Sequence, residues 1–164
     1  MVHIGTTVLV ESTQDVTPFG RRVIPAPHAV LVVRDDDKNS DFLDTICEFL
    51  DIGVEHAGGA DDLATLLRGL RPMAVIADLD GESQDGFHVM KVVASYDRTL
   101  PIMLLTSNDP ALLGAVDAVQ AVWGLTKVAA VTGTAGIGTL VDFMCRAARD
   151  AGRDRLIRVQ DAIA

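Results

Sequence analysis

From residue 29 onward, short apolar runs alternate with longer amphipathic stretches, and this alternation constrains the fold more than any other feature of the chain. Residues 29–33 (AVLVV) are apolar throughout, as a strand buried on both faces must be. Residues 39–50 then place Phe42, Leu43, Ile46, Cys47, Phe49 and Leu50 at helical spacing behind Asn39 or Ser40 as a cap. Residues 53–57 read as a second strand, and residues 60–70 as a helix carrying Leu63, Leu66, Leu67 and Leu70 that stops at Arg71-Pro72. Residues 74–79 (AVIADL) form the third apolar run, followed by a helix over 86–96 with Phe87, Met90, Val93 and Ala94 on one side. Residues 102–105 give the fourth strand. Asp109-Pro110 opens the next helix as cap and first-turn proline, and Gly124 closes it. A fifth strand over 128–131, a loop over 132–138 (TGTAGIG) and a last helix over 139–151 complete the pattern. Five strands alternating with helices predict an α/β fold, a doubly wound parallel sheet with crossovers on both faces.

Composition narrows the function. The 23 acidic residues outnumber the 14 Lys and Arg, for a net charge of −9. That balance argues against sequence-independent nucleic-acid binding, which rests on cations neutralising phosphates. No apolar run approaches the ~20 residues needed to cross a bilayer, and the N-terminus lacks the pattern of a signal peptide. A cytoplasmic chain without nucleic-acid or membrane partners is expected, with Cys47 and Cys145 reduced and buried. Four scattered histidines (His3, His28, His56, His88) share no ligand spacing, which argues against a zinc or haem site. Residues 1–27 fall outside the alternation and read as an extension, suited to a hairpin or to an arm in a homodimer. Residues 28–151 form the domain, and residues 152–164 a helical tail that continues the last helix or stands apart from it.

In a wound parallel sheet, ligands sit at the carboxyl ends of the strands. There the sequence places Asp35 after the first strand, Asp78 and then Asp80 at the third, Thr106 and Ser107 at the fourth, and Thr132-Gly133-Thr134 at the fifth. Carboxylates from neighbouring strand ends with a hydroxyl beside them make a hard oxygen site of the kind that suits Mg²⁺. A carboxylate can also attack phosphorus to give an acyl phosphate. Asp37, Asp41 and Asp44 are adequately explained as a solvated helix start.

AVLVVRDDD, AVIADLDGESQDGF and LPIMLLTS, in this order and spacing, resemble the receiver domain of two-component response regulators. The likeness spans residues 28–150, and its most specific part is Asp78 followed by Asp85-Gly86-Phe87 at the start of the next helix. It implies a flavodoxin-like sheet of order 2-1-3-4-5 and a non-enzymatic signalling role in phosphorelay. Asp78 would be the phosphoacceptor. Asp35, Asp78 and the main-chain carbonyl of Asp80 would hold Mg²⁺, and Thr106 would bind the phosphoryl oxygens. A histidine kinase or phosphotransfer protein would be the donor, and a downstream protein the target.

Two positions depart from the family pattern. Arg34 stands where the first acid of the metal-binding pair belongs, leaving two anionic ligands instead of three; a one-residue slip would restore Asp35-Asp36 but would turn the strand over. The fifth strand also lacks its terminal lysine. With the strand at 128–131, Lys127 sits at the wrong end; a strand at 121–125 would place it correctly but leave VAAV in a loop, so the first reading is preferred. These departures keep a second reading open, a degenerate receiver that binds proteins without being phosphorylated. Asp78-Leu79-Asp80-Gly81 is also similar to the first motif of haloacid-dehalogenase-type phosphatases, although that motif normally opens its fold. Trp123 is assigned to helix packing and the 133–139 segment to a connection, since it lacks the lysine of a phosphate-binding loop.

Overall fold

The structure, a computed structural model, describes residues 30–33, 40–57, 60–81, 85–107, 109–132 and 136–163. In chain order the elements are β1 (Val30–Val33), α1 (Ser40–Phe49), β2 (Val54–His56), α2 (Ala60–Leu70), β3 (Ala74–Asp78), α3 (Gly86–Tyr96), β4 (Ile102–Thr106), α4 (Pro110–Trp123), β5 (Val128–Thr132) and α5 (Ile137–Ile163). The five strands form one parallel sheet of order β2-β1-β3-β4-β5. This is the flavodoxin-like arrangement that the resemblance implied. The reading of residues 1–27 as an extension, together with Arg34, Asp35 and residues 133–135, lies outside the described residues.

The apolar runs behave as strands because both faces of the sheet are covered. Val33, Val75, Ala77, Ile102 and Leu104 point into one core with Leu63, Leu67, Val89, Met90 and Val116 from α2, α3 and α4. Val32, Ala74, Ile76 and Met103 point into the other, against Leu43, Ile46 and Cys47 of α1 and Leu140 and Met144 of α5. Side chains alternate across the pleat, so β1, β3 and β4 each supply both layers. Trp123 packs partly buried against the first core, in agreement with its assignment.

Helix ends follow local chemistry. Asp85 accepts from the Phe87 amide, and Asp109 accepts from the Ala111 amide ahead of Pro110. Gly124 closes α4 at φ 67°, a left-handed conformation that glycine adopts without steric cost. Asp51 and Arg71 occupy the same region at φ 55° and 49°, ending α1 and α2 without a glycine. The Ile52 amide reaches the Cys47 carbonyl at 2.8 Å, and the Arg71 amide reaches Leu67 at 3.1 Å, so carbonyls of the last turn are satisfied.

Two expectations are corrected. Phe42 and Phe49, placed with the packing residues, are 42% and 87% exposed. The α1 stripe that faces the sheet is Leu43, Ile46 and Cys47, and positions 42 and 49, seven residues apart, share an adjacent stripe that misses it. Cys145, expected buried like Cys47, is only half-buried; both thiols are free. The last helix runs unbroken through Ile163, so of the two arrangements open for the tail, continuation of that helix is the one observed. Cys47 Sγ lies 3.5 Å from Met144 Sδ, joining α1 to α5, and burial pushes its thiol up to about 11, with Asp44 adding to the shift.

Candidate functional site at the carboxyl rim

Asp78 is the last residue of β3 and lies opposite Leu105 of β4. The ladder continues one bond further, from the Leu79 amide to the Leu105 carbonyl at 2.8 Å. α3 begins against the end of β3. The Gly86 amide donates to the Leu79 carbonyl at 3.3 Å, and Asp80 and Asp85 form an isolated bridge. A Cβ on Gly86 would stand 2.6 Å from Leu79 Cα and 2.9 Å from the Asp78 carbonyl oxygen. Glycine at this position therefore lets the first turn of α3 press directly on the end of β3, fixing the backbone that carries Asp78.

On the neighbouring strand Thr106 ends β4 with 4% of its surface exposed. Its hydroxyl donates to the Ser107 carbonyl at 3.0 Å, an oxygen that also accepts from the Asp109 amide at 2.8 Å. Ser107 in turn binds Asp80. Its amide donates to Oδ2 at 3.0 Å and to Oδ1 at 3.3 Å, and its hydroxyl also donates to Oδ2. The Ser107 hydroxyl is the main reason that the Asp80 carboxyl is held below its usual range; the amide bonds add to this and partial desolvation opposes it. The two loops beyond β3 and β4 are thus tied by a charge-assisted clamp.

Asp78, Asp80 and Thr106 accordingly come together on adjacent strand ends. Asp78 sits on the pleat with Leu105, and Thr106 is one residue further along, so the two side chains leave the sheet on alternate faces and share only the space beyond the rim. Asp35 and Arg34 lie outside the described residues. Among those described, no group of three or more His, Cys, Asp or Glu gathers as a metal cluster. The donors present are nevertheless hard oxygens. Ser107 already engages the Asp80 carboxylate, which leaves Asp78 as the other acidic side chain at these two strand ends among the described residues.

Lys127 is placed by the observed β5, which runs Val128–Thr132. The alternative strand at 121–125 is not formed, since those positions belong to the end of α4 and the turn after it. Lys127 precedes β5 at the amino edge of the sheet, where its Nζ pairs with Asp150 of α5 at 2.7 Å. Thr132, opposite Thr106, occupies the carboxyl end of β5. Sequence reasoning missed the Asp80–Ser107 clamp. Its signal was available in the register, since pairing Asp78 with Leu105 sets residue 80 across from residue 107.

No protein-family model matches the sequence, and no curated protein matches it. Solved structures do. A response regulator receiver protein from Pseudomonas putida is 23% identical, with a TM-score of 0.61 over 75% of this chain and 99% of that one. A chemotaxis protein of Vibrio cholerae is 21% identical, with a TM-score of 0.61 over 74% and 99%. The receiver domain of a sensor histidine kinase from Pseudomonas aeruginosa, described with a magnesium ion in its active-site cleft, is 18% identical with a TM-score of 0.58 over 73% and 96%. At these identities the likeness establishes a shared fold, and it covers nearly the whole of each of those chains.

Proposed function

We propose that this chain is a receiver domain of phosphorelay signalling in which Asp78 accepts a phosphoryl group from a histidine kinase or phosphotransfer partner. The observation that carries the proposal is the placement of Asp78 at the carboxyl end of central strand β3, with Thr106 and Ser107 at the end of adjacent β4. An Asp78 carboxylate oxygen attacks phosphorus, the bond from phosphorus to the donor imidazole nitrogen breaks, and an aspartyl phosphate forms. The bend imposed by Gly86 holds the attacking carboxylate at the rim. Thr106 gives up its bond to the Ser107 carbonyl and donates to a phosphoryl oxygen instead. When bound, Mg²⁺ supplies positive charge against the phosphoryl oxygens; Asp78, the Asp80 carbonyl and Asp35 are the residues that would hold it. Phosphoryl-dependent repacking of the rim would then alter the surface offered to a downstream protein.

One observation favours the second reading, a receiver that binds partners without phosphorylation: Lys127 is engaged by Asp150 at the far edge of the sheet, and Thr132 ends β5. A phosphatase of the haloacid-dehalogenase type is disfavoured, because Asp78-Leu79-Asp80-Gly81 follows the third strand in chain order, not the first. Acetyl phosphate with Mg²⁺, followed by intact-mass measurement, separates the three. The expected result is one stoichiometric phosphoryl addition that Asp78→Asn abolishes. No addition selects the phosphorylation-independent module, and continuous turnover of a phosphate monoester selects the phosphatase.

A further inference from the structure

A groove of about 460 Å³ runs between α2 and α3, on the outer side of the layer that covers the first core. Ala64 and Arg68 line one wall, four residues apart on α2. His88, Lys91, Val92 and Tyr96 line the other, at successive turns of α3. The middle is apolar and the rims are basic. Arg68 donates through Nε to the Ala64 carbonyl at 2.9 Å, which lays its side chain along α2 and leaves its terminal nitrogens for an outside acceptor. Among the residues whose side chains are described, no Asp or Glu lines the groove. Elsewhere Lys127 and Arg146 are paired with Asp150 and Asp142. In a chain of net charge −9, Arg68 and Lys91, neither ion-paired with a described residue, face each other across one groove and make a local field opposite to that of the molecule as a whole.

From this charge complementarity we infer that the α2–α3 groove docks an acidic amphipathic segment of a partner protein. The partner's carboxylates would meet Arg68 and Lys91, and an apolar side chain between them would lie on Ala64 and Val92 beside the Tyr96 ring. The inference stands independently of Asp78 chemistry, because no residue of the groove belongs to the carboxyl rim.

The test titrates the full ¹⁵N-labelled chain with a synthetic peptide of alternating Glu and Leu residues, read by amide chemical shifts. Saturable shifts confined to residues 64–68 and 88–96 are expected. Affinity should fall at least tenfold in R68E/K91E, with a smaller loss in R68A/K91A, and should weaken as salt is raised. Circular dichroism verifies that both variants remain folded. Shifts spread over the chain, or unchanged in R68E/K91E, would overturn the assignment. An oligonucleotide that displaces the peptide at equal charge would overturn it in favour of a general polyanion site. Self-association of the wild-type chain that R68E/K91E abolishes would overturn it in favour of a second copy.

Discussion

At the carboxyl rim, Asp78, Asp80, Thr106 and Ser107 gather on two neighbouring strand ends, whereas at the amino rim Lys127, just before β5, pairs with Asp150 of α5. The first arrangement collects acids and hydroxyls and, among the described residues, no lysine or arginine. The second joins a strand to the helix that packs over it. Both rims belong to the same sheet, yet among the described residues the first gathers carboxylate and hydroxyl oxygens on neighbouring strand ends, and the second sets a cation against a single helix acid. The contrast separates two uses of charge: Lys127 fastens the amino edge to α5, and the carboxyl rim is left to oxygen donors among the described residues.

Substitutions at the two rims should therefore differ in kind. Gly86→Ala is expected to have the largest effect, because the new Cβ meets backbone atoms of Leu79 and Asp78 and not a movable side chain. A stability loss of about 1–3 kcal/mol in urea unfolding is expected, together with poor phosphoryl uptake. A variant as stable as the wild type would show that α3 can retreat from β3 and that the rim is softer than its geometry indicates.

Ser107→Ala comes next. The Asp80 carboxyl should rise toward its ordinary value of 3.8, read by NMR titration of its side-chain carbon. The sign follows from linkage: a carboxyl held low in the folded state contributes stability above its unfolded value, and that contribution is lost as pH falls through the folded one. Wild type and variant should thus differ in stability at neutral pH and converge in acid. An unshifted Asp80 would remove the clamp from the account. Lys127→Ala should have the smallest effect, below about 1 kcal/mol for an exposed pair, with phosphoryl uptake unaltered. A large loss of uptake would erase the distinction between the rims.

Much of the fold was legible because its signals were local. The start of α3 follows from Asp85, and both bounds of α4 from Asp109-Pro110 and Gly124. Burial on both faces announced itself in runs such as AVIAD. The site was legible where a residue ends a strand, as Asp78 and Thr106 do. It was less so where the contact spans separate loops, since Asp80 and Ser107 are 27 residues apart and meet only once β3 and β4 are in register. Phe49 misled for a related reason: helical spacing identifies a stripe, but only the sheet beneath decides which of two neighbouring stripes it covers. Asp51 and Arg71 hid two helix ends, because neither is the glycine that usually marks a left-handed terminus.

The sulfur contact between Cys47 and Met144 has a practical consequence. With its thiol buried and pushed up to about 11, Cys47 holds a thiolate fraction of only about 10⁻⁴ at neutral pH. Cys145, half-buried on α5, is then the thiol that a maleimide dye or nitroxide reaches first. The native chain thus offers a single-site handle on its longest helix, and spectroscopists could follow motion there without engineering the interior.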